Sequence, residues 1–206
     1  MTTLDYAAAH TTPPQPVLTA LERATHLRTL SPQMLSGPYQ GMLLQFISHM
    51  VKPRRVLEIG TFTGYAAICL AQGLPADGQL HTIEVNDELG ALTRQFIAAA
   101  ELSDKIILHI GDAALIIPHL TDVFDLVFLD AGKLDYAVHY ELVLSKTRSG
   151  GFILADNVLW DNKVITSDKE ATTVALQNFN DMVQQDERVE NLLLPLRDGL
   201  MVIRKR

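Results

Sequence analysis

Phe128-Leu129-Asp130-Ala131-Gly132-Lys133 is the stretch that decides the fold, because an apolar run stops abruptly there at a carboxylate. The run at residues 123–129 predicts a buried strand that ends at Asp130. A second apolar run, at residues 151–155, predicts the next strand, which ends at Asp156-Asn157. Neighbouring strands of an open parallel sheet deliver their carboxyl ends to one crevice, where ligands bind. We therefore expect these polar residues to meet.

The polar residues at these two strand ends are all hard oxygen donors. Asp130, Asp156 and Asn157 offer carboxylate and amide oxygens, and neither Cys nor His stands among them. Such donors suit Mg²⁺ or Ca²⁺ better than zinc. The pattern therefore favours a hard divalent cation beside a nucleotide-type fold.

Apolar runs of strand length alternate with segments of helical spacing along most of the chain. Strands are predicted at residues 55–59, 79–84, 106–110, 123–129 and 151–155. Helices are predicted at residues 18–30, 41–50, 64–72, 87–100, 113–120, 135–145 and 169–186. Strands that alternate with helices predict a parallel, doubly wound α/β sheet with helices on both faces.

The C-terminal end departs from this alternation. Residues 189–196 and 200–204 predict two strands joined by a tight turn at Arg197-Asp198-Gly199. They give a mostly parallel sheet an antiparallel last strand. A chain of 206 residues is generous for one domain and short for two. We expect a single Rossmann-like domain, preceded at residues 1–33 by a helical extension that caps the domain or mediates a dimer.

Composition excludes several classes of protein. The net charge is 17 − 24 = −7, and the only basic cluster is the terminal Arg204-Lys205-Arg206, so a nucleic-acid partner is not expected. Cys69 is the only cysteine, which rules out a disulfide framework and a cysteine-based metal site within one chain. The N-terminus shows no signal-peptide pattern, and no apolar run approaches membrane-spanning length. We expect a cytoplasmic protein without a membrane partner.

The first predicted strand-to-helix turn carries two glycines, Gly60 and Gly64. A dinucleotide-binding turn requires Gly-x-Gly-x-x-Gly, because the pyrophosphate rests on the helix N-terminus. Phe62 occupies the middle glycine position here, which argues against that ligand. Glu84 ends the second predicted strand, where a carboxylate can accept both hydroxyls of a ribose. Gly111-Asp112-Ala113 follows the third predicted strand at the same edge of the sheet.

Several ordered motifs together resemble one family. They are Val-Leu-Glu-Ile-Gly-Thr-Phe-Thr-Gly-Tyr at 56–65, Leu-Asp-Ala-Gly-Lys-Leu-Asp-Tyr at 129–136, Ala-Asp-Asn-Val-Leu-Trp at 155–160 and Leu-Pro-Leu-Arg-Asp-Gly-Leu at 194–200. From about Met34 onward the chain is similar to the cation-dependent O-methyltransferases, which include the catechol and caffeoyl-CoA O-methyltransferases. The resemblance implies that residues 34–206 form a class I methyltransferase domain that uses S-adenosylmethionine (SAM).

The resemblance also implies roles for individual residues. The residues expected to bind SAM are Glu58, Gly60, Thr61, Phe62, Tyr65, Ala66, Glu84, Val85, Asp112, Ala113 and Asp130. The expected ligands of a divalent cation, Mg²⁺ first and Ca²⁺ or Mn²⁺ as alternatives, are Asp130, Asp156 and Asn157. Lys133 matches the family's general base, and with Asp130 it makes up the expected catalytic pair. Trp160 and Tyr136 are expected to form walls for a planar acceptor.

One residue departs from the family pattern. Many relatives carry Asp-x-Asp-Lys where this chain has Asp130-Ala131-Gly132-Lys133, so the contacts of the second acid are missing. The expected activity is methyl transfer to a hydroxyl of a small phenolic, catechol-like acceptor by a homodimer. Two alternatives stay open at this point: a nucleotide-dependent oxidoreductase, and a SAM-binding protein without catalytic activity.

Overall fold

A computed structural model describes residues 3–206. The first two residues of the predicted 1–33 extension lie outside the described part of the chain. The α-helices are α1 Thr3–Ala9, α2 Pro16–Arg28, α3 Gly37–Val51, α4 Tyr65–Ala71, α5 Gly90–Ala99, α6 Ala113–Ile116, α7 Tyr136–Lys146 and α8 Ala171–Gln185. The strands are β1 Arg55–Ile59, β2 Gln79–Glu84, β3 Ile106–Ile110, β4 Phe124–Leu129, β5 Thr147–Asp156, β6 Val189–Leu194 and β7 Leu200–Lys205.

The seven strands form one sheet in the order β3-β2-β1-β4-β5-β7-β6. The pairs β2–β3, β1–β4 and β4–β5 are parallel, whereas β7 runs antiparallel to both β5 and β6. The predicted Rossmann-like α/β sheet with a reversed last strand is thereby confirmed. Within residues 3–206 no helix is long and apolar enough to cross a membrane.

The chain divides into two compact units, and the first comprises residues 1–54 and 61–111. Within it α3 packs closely against α4. A Cβ atom on Gly41 of α3 would lie 2.6 Å from Cε1 of Tyr65 in α4, so the absence of a side chain lets the two helices approach. Ser48 of α3 donates a hydrogen bond to the carbonyl oxygen of Leu70 at 2.6 Å. The predicted helical extension, α1 and α2, belongs to this unit. The division of the chain into an extension at 1–33 and a domain at 34–206 stays a prediction.

The second unit comprises residues 55–60 and 112–206 and holds β1, β4, β5, β7 and β6. Its core contains aromatic side chains from α7 and α8. Tyr136 and Tyr140 of α7 both pack edge-on against Phe179 of α8, with ring centroids 5.3 and 5.9 Å apart. All three rings are fully buried, so they anchor both helices against the rest of the unit.

Two predicted strand boundaries differ from the structure by two or more residues. β5 begins at Thr147, four residues before the predicted strand, and its register with β4 shifts between Phe124 and Leu126. β6 ends at Leu194, since Pro195 has no N–H to donate to a ladder. The connection to β7 is therefore a loop of five residues, 195–199, in place of the predicted tight turn.

Candidate functional site

Glu84 organises the loop that follows β1. Oε2 of Glu84 accepts a hydrogen bond from the backbone N–H of Phe62 at 2.7 Å, and Oε1 accepts one from Asn86 N–H at 2.9 Å. The side chain is only 7% exposed. Each carboxylate oxygen has a second lone pair, so the group retains the capacity to accept ribose hydroxyls. The sequence predicted a ligand contact for Glu84 but not this structural role.

Buried threonine hydroxyls hold the same loop from behind. Thr63 forms a 2.8 Å hydrogen bond with Thr25 of α2, and Thr61 is hydrogen-bonded to Thr82 of β2. Thr93 of α5 donates to the carbonyl oxygen of Phe62 at 3.1 Å. The sequence did not predict roles for Thr25, Thr82 and Thr93, because single threonines in a helix or strand carry no local signal for such a network. The loop is fixed before any ligand binds.

The two loop glycines are required by close neighbours. Gly60 has φ +97°, and a Cβ atom there would lie 2.0 Å from the carbonyl oxygen of Asp130. Within the second unit, Gly60 therefore allows the turn to approach the end of β4 closely. Gly64 has φ +95°, and a Cβ atom there would lie 3.2 Å from the Thr93 side chain of α5.

The remaining predicted cofactor residues occupy varied surroundings. Glu58 is fully buried in β1, and Val85 is 75% exposed after β2. Tyr65 and Ala66 are buried at the start of α4, and burial raises the pKa of the Tyr65 hydroxyl. Among the described residues that hydroxyl has no hydrogen-bond partner.

Asp112 and Ala113 lie at the start of α6. Asp112 is exposed and caps the helix, because its Oδ1 accepts the backbone N–H of Ala114 at 2.8 Å. Ala113 is buried, at 7% exposed. The cap leaves the other carboxylate oxygen of Asp112 open to solvent or a ligand.

Asp130 and Asp156 lie side by side at the ends of β4 and β5. The parallel register pairs Leu129 with Ala155, so each acid follows immediately after the last residue pair between β4 and β5. Asp156 is 4% exposed. Burial raises the pKa of Asp130 to about 6; the negative charge of Asp156 acts in the same direction, and the Lys133 ammonium opposes it. Two largely enclosed carboxylates at the ends of neighbouring strands favour a bound cation.

Asn157, the third predicted ligand, directly follows this pair. Its backbone is left-handed, with φ +58°. Asn adopts that conformation more readily than most residues. Among residues 3–206 no group of three or more His, Cys, Asp and Glu side chains is placed to hold a metal. The predicted set has only two such residues, so a third protein ligand depends on the Asn157 amide, whose oxygen suits Mg²⁺.

Lys133 is held beside Asp130. Its Nζ lies 2.7 Å from Oδ1 of Asp130 and 2.7 Å from the hydroxyl oxygen of Tyr136. The side chain of Lys133 is 10% exposed and that of Asp130 is 17% exposed. The predicted catalytic pair is thus in direct contact at a partly open position, which suits proton transfer to or from a ligand.

Tyr136 requires a correction. We predicted a ring that would form a wall for the acceptor, but the side chain is fully buried against Phe179. Its hydroxyl accepts a hydrogen bond from Lys133 and lies 2.8 Å from the carbonyl oxygen of Asp156 and 3.1 Å from that of Leu129. Tyr136 begins α7, and its hydroxyl lies against the ends of β4 and β5, which enclose the side chain. Tyr136 therefore supports the site from within the core.

Trp160, the other predicted wall, is partly exposed in the segment after β5. Its backbone is left-handed, with φ +49°.

Gly132, the departure from the family pattern, has ample space. A Cβ atom there would meet only Oδ2 of Asp135, at an ordinary 3.5 Å. Packing would therefore allow an acidic side chain at position 132.

Comparison with known proteins assigns the chain to a family. A profile of the O-methyltransferase family matches residues 8–206. The chain belongs to this family. It is 33% identical over 172 residues to a catechol O-methyltransferase of Niastella koreensis, which covers 80% of this chain and 77% of that protein. It is 28% identical over 200 residues to a caffeoyl-CoA O-methyltransferase of Stellaria longipes, covering 91% and 83%.

A solved O-methyltransferase has the same fold. TomG of Streptomyces achromogenes, whose structure contains SAM, superposes with a TM-score of 0.91 at 29% identity, covering 97% of this chain and 94% of that one. Family membership sets aside the oxidoreductase alternative. The protein is a SAM-dependent O-methyltransferase.

Proposed function

We propose that this O-methyltransferase depends on a divalent cation and methylates a hydroxyl of a small phenolic, catechol-like acceptor. The observation that carries the proposal is the adjacency of Asp130 and Asp156, with Lys133 bound to Asp130 at 2.7 Å. The names of the relatives, catechol and caffeoyl-CoA O-methyltransferase, support a phenolic acceptor. No basic cluster suited to the phosphates of coenzyme A stands out in the sequence, which favours a small acceptor.

Asp130, Asp156 and Asn157 would hold the cation, with Mg²⁺ the best match for three oxygen donors and Ca²⁺ or Mn²⁺ as alternatives. A bound cation would lower the pKa of a phenol and bind two adjacent oxygens of the acceptor. Asp130 and Asp156 lie at the ends of neighbouring strands, so the sheet itself sets their separation. Such rigid support is what precise placement of a reacting oxygen requires.

Lys133 would act as the general base. Nζ stands at the centre of the hydrogen-bonded series Asp130–Lys133–Tyr136, and as a neutral amine it would accept the proton of the acceptor hydroxyl. Asp130 and Tyr136 restrict its motion, so the side chain is already oriented when an acceptor arrives. Asp130 has a second role in this proposal, because it would also contact SAM.

The loop after β1 and the end of β2 would hold SAM. Glu84 would bind the ribose, and Gly60, Thr61 and Phe62 would face the amino-acid end of the ligand. The further SAM contacts that we propose are Glu58, Tyr65, Ala66, Val85, Asp112 and Ala113. Gly132 removes one acidic contact, and we expect a weaker hold on SAM than in relatives with an acid at this position.

A homodimer and a cytoplasmic location stay predictions from the sequence. The helical extension predicted to cap the domain or mediate a dimer has both buried and exposed leucines. Leu18 and Leu21 are 3% and 0% exposed inside the chain, whereas Leu27 and Leu30 are 74% and 102% exposed. Only the second pair is available to a partner, and light scattering of wild type and Leu27→Asp would test whether it is used.

Methyl transfer from labelled SAM to a panel of catechols tests the proposal, with Mg²⁺ or with EDTA. We expect transfer that stops on chelation and in Asp156→Ala. Asp181→Ala is the matched control, since Asp181 is an exposed acid on α8, and it should behave as wild type. Transfer that persists in EDTA, or an active Asp156→Ala enzyme, would contradict the cation site.

A further inference from the structure

The segment after β5 has an unusual backbone. Asn157, Trp160, Asp161 and Asn162 all have φ between +49° and +59°. Left-handed residues other than glycine are uncommon, and a bulky side chain such as that of Trp160 is rarely among them. Such a conformation persists only where surrounding contacts impose it. We call residues 157–162 the Trp160 loop.

The connection before β7 supplies those contacts. Asp198 receives two hydrogen bonds from the Trp160 loop: Leu159 N–H donates to its carbonyl oxygen at 2.9 Å, and Asp161 N–H donates to Oδ1 of its carboxylate. The carbonyl oxygen of Gly199 accepts a third, from Val158 N–H at 3.2 Å. One side chain, that of Asp198, therefore holds the loop immediately after Trp160.

Gly199 allows this close approach. Its φ is +88°, and a Cβ atom there would lie 2.5 Å from Cγ and 2.8 Å from the backbone nitrogen of Leu159. No other residue fits without displacing the loop. The close contact between Gly199 and Leu159 shows that the loop before β7 packs directly against the Trp160 loop.

The carboxylate of Asp198 also lies within electrostatic reach of the candidate cation site. Burial raises the pKa of Asp198, and the hydrogen bond from the Asp161 N–H lowers it. The negative charges of Asp156 and Asp161 raise the pKa of Asp198 further, and the Lys133 ammonium lowers it. The same loop begins with Asn157, the proposed third cation ligand. A shift of the loop would thus move both Asn157 and Trp160.

We propose that Asp198 is a positioning residue for acceptor selection: through the backbone N–H of Asp161 it holds the Trp160 loop where the indole meets the planar ring of a phenolic acceptor. This inference rests on the proposed function, because it assumes an aromatic acceptor. Asp198 touches neither the acceptor nor SAM in this account. Its loss should therefore affect acceptor binding and leave SAM binding unchanged.

Trp160 is the only tryptophan in the chain, so its fluorescence reports on this loop alone. The test compares Asp198→Ala with Asp198→Asn, whose amide oxygen still accepts a hydrogen bond from Asp161. For Asp198→Ala we expect at least a twofold rise in the acrylamide quenching constant and at least a fivefold rise in the KM of the acceptor. The KM of SAM should stay within twofold of wild type. Asp198→Asn should restore both quenching and acceptor KM to within twofold of wild type.

Quenching is measured without acceptor and below the melting midpoint of each variant, so a less stable variant still answers the question. Asp181→Ala is again the control and should change neither readout. Wild-type quenching or a wild-type acceptor KM in Asp198→Ala would overturn the inference, as would an Asp198→Asn enzyme as impaired as Asp198→Ala. Transfer that persists in EDTA would contradict only the proposed cation dependence. Quenching and the acceptor KM can be measured in EDTA as well, so they would still test the role of Asp198.

Discussion

Tyr136→Phe removes one buried hydroxyl and leaves the ring against Phe179 in place. The lost atom accepts a hydrogen bond from Nζ of Lys133 at 2.7 Å and lies 2.8 Å from the carbonyl oxygen of Asp156. A buried polar group deprived of its partner costs about 1–3 kcal/mol. For a chain of this size, each kcal/mol lowers the melting temperature by about 2–4 °C, so we expect a fall of about 2–12 °C.

The same substitution should slow methyl transfer. Lys133 would keep Asp130 as a partner but lose the hydroxyl that orients it from below. If the loss of orientation costs about 1.4 kcal/mol in the transition state, kcat falls about tenfold. The KM of SAM should not change, because the loop after β1 is held by other residues.

Tyr140→Phe is the matched control. Tyr140 is on the same helix, packs edge-on against Phe179 as Tyr136 does, and donates its hydroxyl to Asp186 at 2.9 Å. Its loss should lower the melting temperature by a similar amount and leave kcat within twofold of wild type. Equal kcat values in the two variants would refute the orienting role of Tyr136, as would an unchanged melting temperature in Tyr136→Phe.

Three further substitutions test other parts of the structure. Gly60→Ala places a methyl group 2.0 Å from a carbonyl oxygen at φ +97°, so we expect a loss of at least about 3 kcal/mol in urea unfolding, and a loss under 1 kcal/mol would contradict the close contact. Hydrogen bonds from Arg188 hold the pKa of Asp186 at about 2, and the Asp186 side chain is 8% exposed. The ionised carboxylate therefore stabilises the folded protein by about 2 kcal/mol above pH 4, and this contribution is lost as the pH falls through 2. Asp186→Asn should therefore be less stable at pH 7 and show a flatter stability profile between pH 4 and 2, measured by chemical denaturation. Thr25→Val removes the partner of Thr63, and calorimetry should show about five- to tenfold weaker binding of SAM; unchanged affinity would mean that the loop is held without α2.

Local sequence patterns predicted the elements and the edge of the sheet where the candidate site lies. The bounds of β1, β2 and β3 agree with prediction, because strand-length apolar runs end there at a glycine or an acid. The adjacency of Asp130 and Asp156 followed from one rule, that neighbouring parallel strands end together. These features depend on periodicity and topology, which are visible within short windows.

The supporting contacts were not predictable in the same way. Thr25 meets Thr63 across 38 residues, and Asp161 meets Asp198 across 37. Neither pair has a sequence signal, since packing alone brings the residues together. Tyr136 was placed on the wrong side of the site because an aromatic residue near a strand end gives no indication of which way its ring faces.

The most direct test of the central claim is a crystal structure grown with Mn²⁺ and S-adenosylhomocysteine, measured for anomalous scattering. We predict one Mn²⁺ peak bound by the Asp130 and Asp156 carboxylates and the Asn157 amide oxygen, and no peak in crystals of Asp156→Ala. A wild-type crystal without a peak at these residues, from a preparation that methylates phenols in EDTA, would contradict it.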